Sequence, residues 1–454
     1  NIGSLKDAGT FTIVTAHQPC LFTGPMYYIF KIVSAINLSK MLRQEYPDYR
    51  FVPVFITGGE DHDFAEINHA HVFNKTLTWE NDESGAVGMM NTDSLHSVLT
   101  ELKEILGTSE NAMRIYQLIE RTHTSHEYYG DAVCDFVGEL FDEHGLVVLN
   151  THDATLKQLF KPIIKEEIFQ QSSHPLVTTT IEQLAKAGFP AQATPREINF
   201  FYLGDQLRER IVFENGLYKV LNTGLEFSQK EMEEEIDKHP ERFSPNVIMR
   251  PLFQELVLPN LAYIGGGGEL AYWLERKAQF EHFGINFPML IRRNSALWID
   301  GIAAKRMNKL GLELDDLWKE TEDLIKHYLH QNADAGFLLP GEKQQLESLF
   351  QDIAGKTEAV DASLVKTVWA EHAKVLKSLT NLETRLTRAQ KQKHDAALQQ
   401  IRNLKEKLFP GNGLQERHDN FLPFYLKYGV EFFQQLLNHL HPLEKKFVVL
   451  EEAQ

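Results

Sequence analysis

The stretch Thr10–Lys31, TFTIVTAHQPCLFTGPMYYIFK, constrains the fold more than any other part of the chain. Phe11 to Ala16 is an apolar, β-rich run that reads as a buried strand, and His17 to Gly24 is a polar loop. Pro25 suits the first turn of a helix, where its missing N–H would be unpaired anyway, with Gly24 as the N-cap. A strand feeding a short loop and a helix N-terminus aims free amides and the positive end of the helix dipole at whatever lies above the strand. An anion, either a nucleotide or a carboxylate, is expected there.

The same pattern recurs. After a helix from Pro25 to about Arg43, Phe51–Thr57 reads as a second strand bounded by Pro47-Asp48 and Gly58-Gly59. Pro53 requires that this strand begin near Val54 or that the missing amide face no partner. Gly145–Asn150 supplies a further strand after an amphipathic stretch, Gly130–His144. Leu261–Ile264 supplies another, followed by Gly265-Gly266-Gly267-Gly268-Glu269 and a helix to about Phe283, and Phe287–Ile291 closes the series. Strands alternating with helices predict an α/β fold, a Rossmann-like doubly wound parallel sheet whose ligands bind beyond the carboxyl ends of its strands. The core is expected to use residues 1–71, 130–190 and 245–335. A helical insertion at 72–129 and a small β insertion at 191–244 interrupt it, the latter because Asn215-Gly216 between two β-rich runs favours a two-residue hairpin. The acidic run at 231–241 reads as a solvated helix face.

Residues 336–410 change character. Val365, Val368, His372, Val375, Leu379, Leu382, Leu386 and Ala389 alternate spacings of three and four, the a/d seam of a coiled coil, with Lys393 and Ala396 continuing it weakly. A preceding helix, Glu342 to about Thr357, is placed to fold back on it, so a helical hairpin serving a homodimer is expected. Phe409-Pro410-Gly411-Asn412-Gly413 stops the helix, and 411–454 reads as a helical return to the core.

With 63 acidic against 46 basic residues, a net charge of −17 and no basic cluster, the chain is not expected to hold a nucleic-acid backbone. Two cysteines, Cys20 and Cys134, cannot frame a disulfide scaffold, and no apolar run is long enough to span a membrane, which points to the cytoplasm. The chain opens on Asn1 rather than Met, so a preceding segment is expected.

The loop Gly58-Gly59-Glu60-Asp61-His62-Asp63 follows the second strand and shares a sheet edge with His17–Gly24. Its acids suit a substrate amine or ribose hydroxyls, while His17 and His62 suit proton transfer or developing phosphate charge. The structural alternative is that Asp61 and Asp63 cap the next helix. Asp61, His62, Asp63, His69 and His71 also crowd closely enough to suggest zinc, but no common face is established for them. Cys20 near His17 lacks a separate orienting base for nucleophilic chemistry. Arg250 and Arg292 are the basic residues that strand order places near the crevice, suited to a carboxylate or phosphate. On fold alone, a nucleotidylyltransferase or a nucleotide-binding scaffold dimerising through its coiled coil are the alternatives to a ligase.

Four ordered motifs carry a resemblance: HQPCLFTGPMYYIFK, PVFITGGEDHDFAEIN, HPERFSPNVIMRPLFQELVLPNLAYIGGGGELAYW, and, after the coiled coil, QERHDNFLPFYLKYG. Over nearly its whole length the chain resembles the bacillithiol-biosynthesis cysteine-adding enzyme family, BshC. The resemblance implies a Rossmann-type core related to nucleotide-binding ligases and class I tRNA synthetases, with a coiled coil used for dimerisation. It implies a ligase joining L-cysteine to glucosaminyl-malate, with ATP or ADP, and Mg2+ accompanying the nucleotide. The matching site residues are His17, Gln18, Thr23, Gly24, Pro25 and Tyr27; then Glu60, Asp61, His62, Asp63 and Asn68; then Arg250, Pro251, Gln254, Glu255, Gly268, Glu269, Tyr272 and Trp273. Some members carry Gln where His17 stands, and many read Gly-Pro-Gly-Glu where this chain has Gly266-Gly267-Gly268-Glu269.

Overall fold

The computed structural model describes residues 1–332 and 338–452; the expected boundary between core and coiled coil at 335/336 lies outside the described residues. Two compact units divide the chain: Asn1–Ala296 with Glu416–Val448, and Leu297–Gln415 with Val449–Gln454. The expected core ran on to 335. Residues 297–332 cluster instead with the helical unit.

The first unit opens with β1 (Thr10–His17), α1 (Tyr27–Glu45) and β2 (Arg50–Thr57). The two strands pair in parallel without a slip from Thr10↔Arg50 to His17↔Thr57, so the loops after them share one edge. A short α2 (Phe64–Ile67) and the hairpin β3 (His69–Val72) and β4 (Lys75–Thr78) follow. The helical insertion supplies α3 (His96–Leu106) and α4 (Glu110–Thr124), and α5 (Tyr129–Leu140) then leads the chain back into the sheet as β5 (Val147–Asn150). Pairing of β2 with β5 starts only at Val54↔Val147, so Pro53 lies just outside the doubly paired stretch.

Two helices, α6 (Ala154–Gln170) and α7 (Ser173–Lys186), lead into the small antiparallel sheet. Its elements are β6 (Phe200–Gly204), β7 (Leu207–Glu214), β8 (Leu217–Val220), β9 (Glu226–Phe227), α8 (Gln229–Lys238) and β10 (Phe243–Pro245), in strand order β10-β6-β7-β8-β9. Asn215 and Gly216 turn the β7–β8 hairpin at φ 53° and 80°, the left-handed pair that a two-residue turn needs. The parallel sheet is completed by α9 (Arg250–Val257), β11 (Asn260–Gly265), α10 (Gly267–Leu274), α11 (Lys277–Phe283) and β12 (Met289–Arg292), giving the order β12-β11-β1-β2-β5. This is the Rossmann-like arrangement expected. One face packs Ile13, Ala262 and Ile264 against Ala35 and Leu38 of α1. The other packs Val14, Val52, Val54 and Ile56 with Phe160 and Ile164 of α6 and Phe253 of α9. Both faces being covered, the strands read as near-continuous apolar runs.

The second unit is helical: α12 (Gly301–Leu310), α13 (Thr321–Asn332), α14 (Pro340–Val360), α15 (Val365–Lys393) and α16 (Asp395–Leu408). Lys343 pairs with Glu383 at 2.5 Å and the Phe350 ring meets His372 at 5.2 Å, so α14 lies antiparallel along α15. The seam is not quite the one expected. Val365, Val368, His372, Leu376 and Leu379 are half-buried, whereas Val375, Leu382 and Leu386 remain 39%, 52% and 39% exposed. A straight helix drifts about 20° per heptad away from a 3.5-residue repeat, so one partner helix cannot follow the whole a/d stripe.

The chain then returns to the first unit as α17 (Leu422–Tyr428) and α18 (Glu431–His439). Asn37 of α1 donates to Leu437 O and Leu440 O, at 2.9 and 2.7 Å, and so ties α1 to α18. Among the described residues, no helix is long and apolar enough to cross a membrane.

Candidate active site

The loop after β1 does not enter α1 as its sequence suggests. Phe22, Thr23 and Gly24 take φ of 49°, 70° and 58°, two of them non-glycine residues in the strained left-handed region. The N-cap is therefore Met26 rather than Gly24, and the Met26 N–H donates to Asp419 O at 2.8 Å instead of to a ligand. Asn420 holds the loop from outside by donating to Phe22 O at 2.8 Å and Gly24 O at 2.7 Å. Thr23 is buried, and its hydroxyl has no partner among the described residues.

A crevice of about 340 Å³ opens at the carboxyl ends of β1, β2 and β11. It brings together His17, Gln18, Tyr27, Asp61, Arg250, Gln254, Gly268, Glu269, Tyr272 and Trp273 of the expected site residues. Trp273 is mostly core: it is 1% exposed and stacks on Tyr263, with ring centroids 4.4 Å apart. Behind the crevice wall lies Lys31, 1% exposed, whose Nζ donates to both oxygens of the lining Glu269 at 2.8 Å and also to Ala16 O. Glu269 additionally accepts from Tyr263 Oη at 3.0 Å and from the Gly266 N–H at 2.7 Å, which fastens the glycine loop to β11. Burial pushes the Glu269 carboxyl up, but the Lys31 ammonium and these hydrogen bonds outweigh it and hold it below its ordinary value.

His17 sits on the same wall, with Nε2 3.0 Å from Tyr27 Oη. Burial, reinforced by Lys31, draws its pKa down to about 3, so the ring is neutral at physiological pH and carries no charge toward a phosphate. A neutral ring can meet developing negative charge as a hydrogen-bond donor but not as a cation. Burial also pushes Tyr27 up to about 12 and the Cys20 thiol up to about 12, which removes Cys20 as a nucleophile.

The acidic loop separates into different jobs. Asp61 faces the crevice, accepts from Gln18 Nε2 at 3.0 Å and lies 3.9 Å from Arg250. Burial raises its pKa, but Arg250 and Arg208 prevail and keep the carboxyl ionised below the ordinary range. Glu60 is not free to meet a substrate amine, because it is buried in an ion pair with Lys157 at 2.7 Å. Asp63 caps α2 by accepting from the Glu66 N–H, the structural alternative for that residue. His62 is largely exposed and bonds Arg208 at 2.6 Å, outside the crevice. Asn68 ends α2 and donates to Trp79 O. Glu255 is buried with Gln254 and Asn260, where burial raises its pKa to about 8.

Arg292 is exposed at the end of β12 and lines neither this crevice nor the cavity beside it; Arg293, its neighbour, does line the crevice. The Arg293 N–H donates to Gly265 O at 2.9 Å, so the extended run continues one residue past β12 and adjacent side chains point to opposite faces. Arg293 donates to Glu416 Oε1 at 2.8 Å, a carboxylate that is fully buried. Sequence reasoning therefore missed Lys31, Tyr263, Arg293 and Arg417. Lys31 did carry a signal, being the lone charge in an apolar helix between Pro25 and Lys40. Among the described residues, no three His, Cys, Asp or Glu side chains are grouped to hold a metal ion.

Two family models match: Bacillithiol biosynthesis BshC, N-terminal Rossmann-like domain, over residues 1–294, and Bacillithiol biosynthesis BshC, C-terminal coiled-coil domain, over residues 296–452. Three similar curated proteins each bear the name "Putative cysteine ligase BshC". That of Flavobacterium johnsoniae is 44% identical over 450 residues, covering 99% of this chain and 85% of the relative. That of Christiangramia forsetii is 41% identical over 454 residues, covering 99% and 84%. That of Flavobacterium psychrophilum is 44% identical over 457 residues, covering 100% and 85%.

Proposed function

The chain belongs to the BshC family, and on that premise we propose that it is a ligase that joins the carboxyl of L-cysteine to the amine of glucosaminyl-malate, the last step of bacillithiol biosynthesis. Forming an amide from a free carboxylate is uphill in water. A nucleotide triphosphate, with Mg2+, supplies the activation when bound. The observation that carries this reading is the crevice itself: a cationic and glycine-lined pocket at the carboxyl ends of parallel strands, where ligands of such sheets bind.

The residues present suit a phosphate-bearing ligand. A Cβ at Gly267 or Gly268 would meet nothing within 4 Å, so the first turn of α10 is open to the crevice. In this reading those amides and Arg250 hold phosphate oxygens, and the Lys31–Glu269 pair keeps the loop in place. Asp61 orients the attacking amine by accepting its N–H. Its lowered pKa makes it a weak base and a good anchor, so the amine proton leaves through another acceptor or water. His17 and Tyr27 contribute as neutral hydrogen-bonding groups. The chain acts in the cytoplasm and as a homodimer through the α14–α15 hairpin, whose outer face keeps Trp369, Val375, Leu382 and Leu386 exposed.

The test is mass spectrometry of the purified protein with ATP, L-cysteine and glucosaminyl-malate. Bacillithiol is expected, with AMP or ADP identifying which phosphate the carboxyl attacks. Asp61→Asn is expected to lower turnover by about a hundredfold, the cost of losing the orientation of a reacting group. Absence of any turnover by the wild-type chain would sink the ligase reading and leave a nucleotide-binding scaffold.

A further inference from the structure

Beside the crevice lies a second cavity of about 510 Å³, whose far wall the ligase reading leaves unused. His69 and His71 of β3 line it from one side, and Arg417 and His418 from the segment before α17 line it from the other. The His71 and His418 rings stack face to face, with centroids 4.1 Å apart and 5° between planes, and His69 meets His71 edge-on at 5.5 Å. In each imidazole it is Nδ1 that finds an oxygen: Asn68 Oδ1 at 3.3 Å, Thr76 Oγ1 at 2.9 Å and Asp419 Oδ1 at 2.8 Å respectively. Asp419 can only accept, so the neutral His418 ring carries its proton on Nδ1. All three Nε2 atoms are left without a hydrogen-bond partner among the described residues. Arg417 likewise forms no hydrogen bond or ion pair among them, although it lines both cavities.

We propose that this cavity is a carboxylate-binding subsite that takes a dicarboxylate, with Arg417 as its permanent cation and the clustered imidazoles as donors once protonated. The inference rests on the ligase reading only in naming the acceptor's acidic end as the occupant. His17, Gln18, Tyr27 and Arg417 line both cavities, so one extended acceptor can lie across them. Gln18 marks the join, since its Nε2 donates to Asp61 at 3.0 Å on the crevice side and to Glu66 at 3.1 Å on the other. The guanidinium meets a carboxylate with paired N–H groups, and an imidazolium Nε2–H adds a charge-assisted bond.

The charges facing the cluster bear on how His71 titrates. Glu66 of α2 and Asp419 are the carboxylates, while Cys20, Tyr27 and His17 stay neutral for the reasons given above. Burial, and then the neighbouring rings of His418 and His69, draw His71 below its ordinary value, so without an anion the His71 ring stays neutral near pH 7. An entering dianion reverses that balance. Binding therefore takes up protons and tightens as pH falls.

Calorimetric titration of the full chain with L-malate, without nucleotide or cysteine, tests this independently of turnover. Binding is expected to be about tenfold tighter near pH 6 than near pH 8, with proton uptake visible as a buffer-dependent heat. Arg417→Gln is expected to weaken it by about tenfold or more, a variant at an exposed position that leaves the core intact. The double substitution His71→Asn, His418→Gln is expected to shrink the pH dependence while Arg250→Gln retains binding. Absence of malate binding, binding lost with Arg250→Gln but not with Arg417→Gln, or pH-independent binding would each overturn the subsite. Malate binding through Arg417 without bacillithiol formation would leave the subsite standing and fell the ligase reading alone. Bacillithiol formed by a chain that binds no malate would do the reverse.

Discussion

His17 shows how far a side chain's surroundings can move it from the role its type suggests. A loop histidine close to a glycine invites an acid–base reading, yet this half-buried ring lies near Lys31, Glu269 and Arg293, and desolvation draws it down to about 3. In the unfolded chain the same ring protonates near pH 6.5. Between those values the unfolded state binds a proton that the folded state refuses, so the stability His17 contributes is present above about pH 6.5 and is lost as pH falls toward 3. His17→Gln is expected to flatten the fall in unfolding free energy, from urea titrations between about pH 6 and about pH 5, by up to about 1.4 kcal/mol per pH unit. His123, also buried and drawn to about 4, keeps the slope from vanishing. An unchanged slope in the variant would show that His17 is solvated and titrates normally. Such shifts come from neighbours far along the chain, which is why residue type and loop position alone mislead.

At the scale of the element, the sharpest difference from the sequence reading is the start of α1. Pro25 and Gly24 are local helix-start signals, and nothing local says that Phe22 and Thr23 will both be left-handed. The cause is Asn420, 398 residues from Phe22, whose side chain takes up the Phe22 and Gly24 carbonyls. Asn420→Ala leaves both buried carbonyls without a donor and is expected to cost on the order of 2 kcal/mol in a denaturant titration. Asn420→Asp, isosteric but unable to donate, should cost at least as much; full stability in the Asp variant would mean that the side chain does not clamp the loop. The glycine contacts under the acidic loop are also long-range. A Cβ on Gly88 would lie 2.9 Å from Gly59 O, and one on Gly130 would lie 2.9 Å from Gly88 O, so three glycines let the backbones touch where Glu60 and Asp61 are held. By contrast, the Asn215-Gly216 hairpin and the strand runs were legible, because turn chemistry and apolar runs are local properties.

For the whole molecule, the charge balance and heptad spacing bear on assembly. The α14–α15 hairpin leaves Val375, Leu382 and Leu386 in solvent, and a second copy is the occupant that the proposed homodimer requires. Light scattering after size exclusion is expected to give twice the chain mass, and Leu382→Glu with Leu386→Glu to give the single-chain mass with unchanged helix content. A wild-type monomer would remove the dimer. The sequence by itself determined the alternation of strands and helices, the parallel sheet that follows from it, the insertions, the helical hairpin and the family, since each rests on periodicity, turn residues or motif order within short windows. Only the tertiary structure decided which charges meet: Lys31 with Glu269 across 238 residues, Glu60 with Lys157, Arg293 rather than Arg292 at the crevice, and His71 against His418. Those pairings depend on strand order, facing and burial, quantities that arise only when distant segments share one interior. The chemistry of Thr10–Lys31 was therefore readable as a place in the chain, while its electrostatics belonged to the fold.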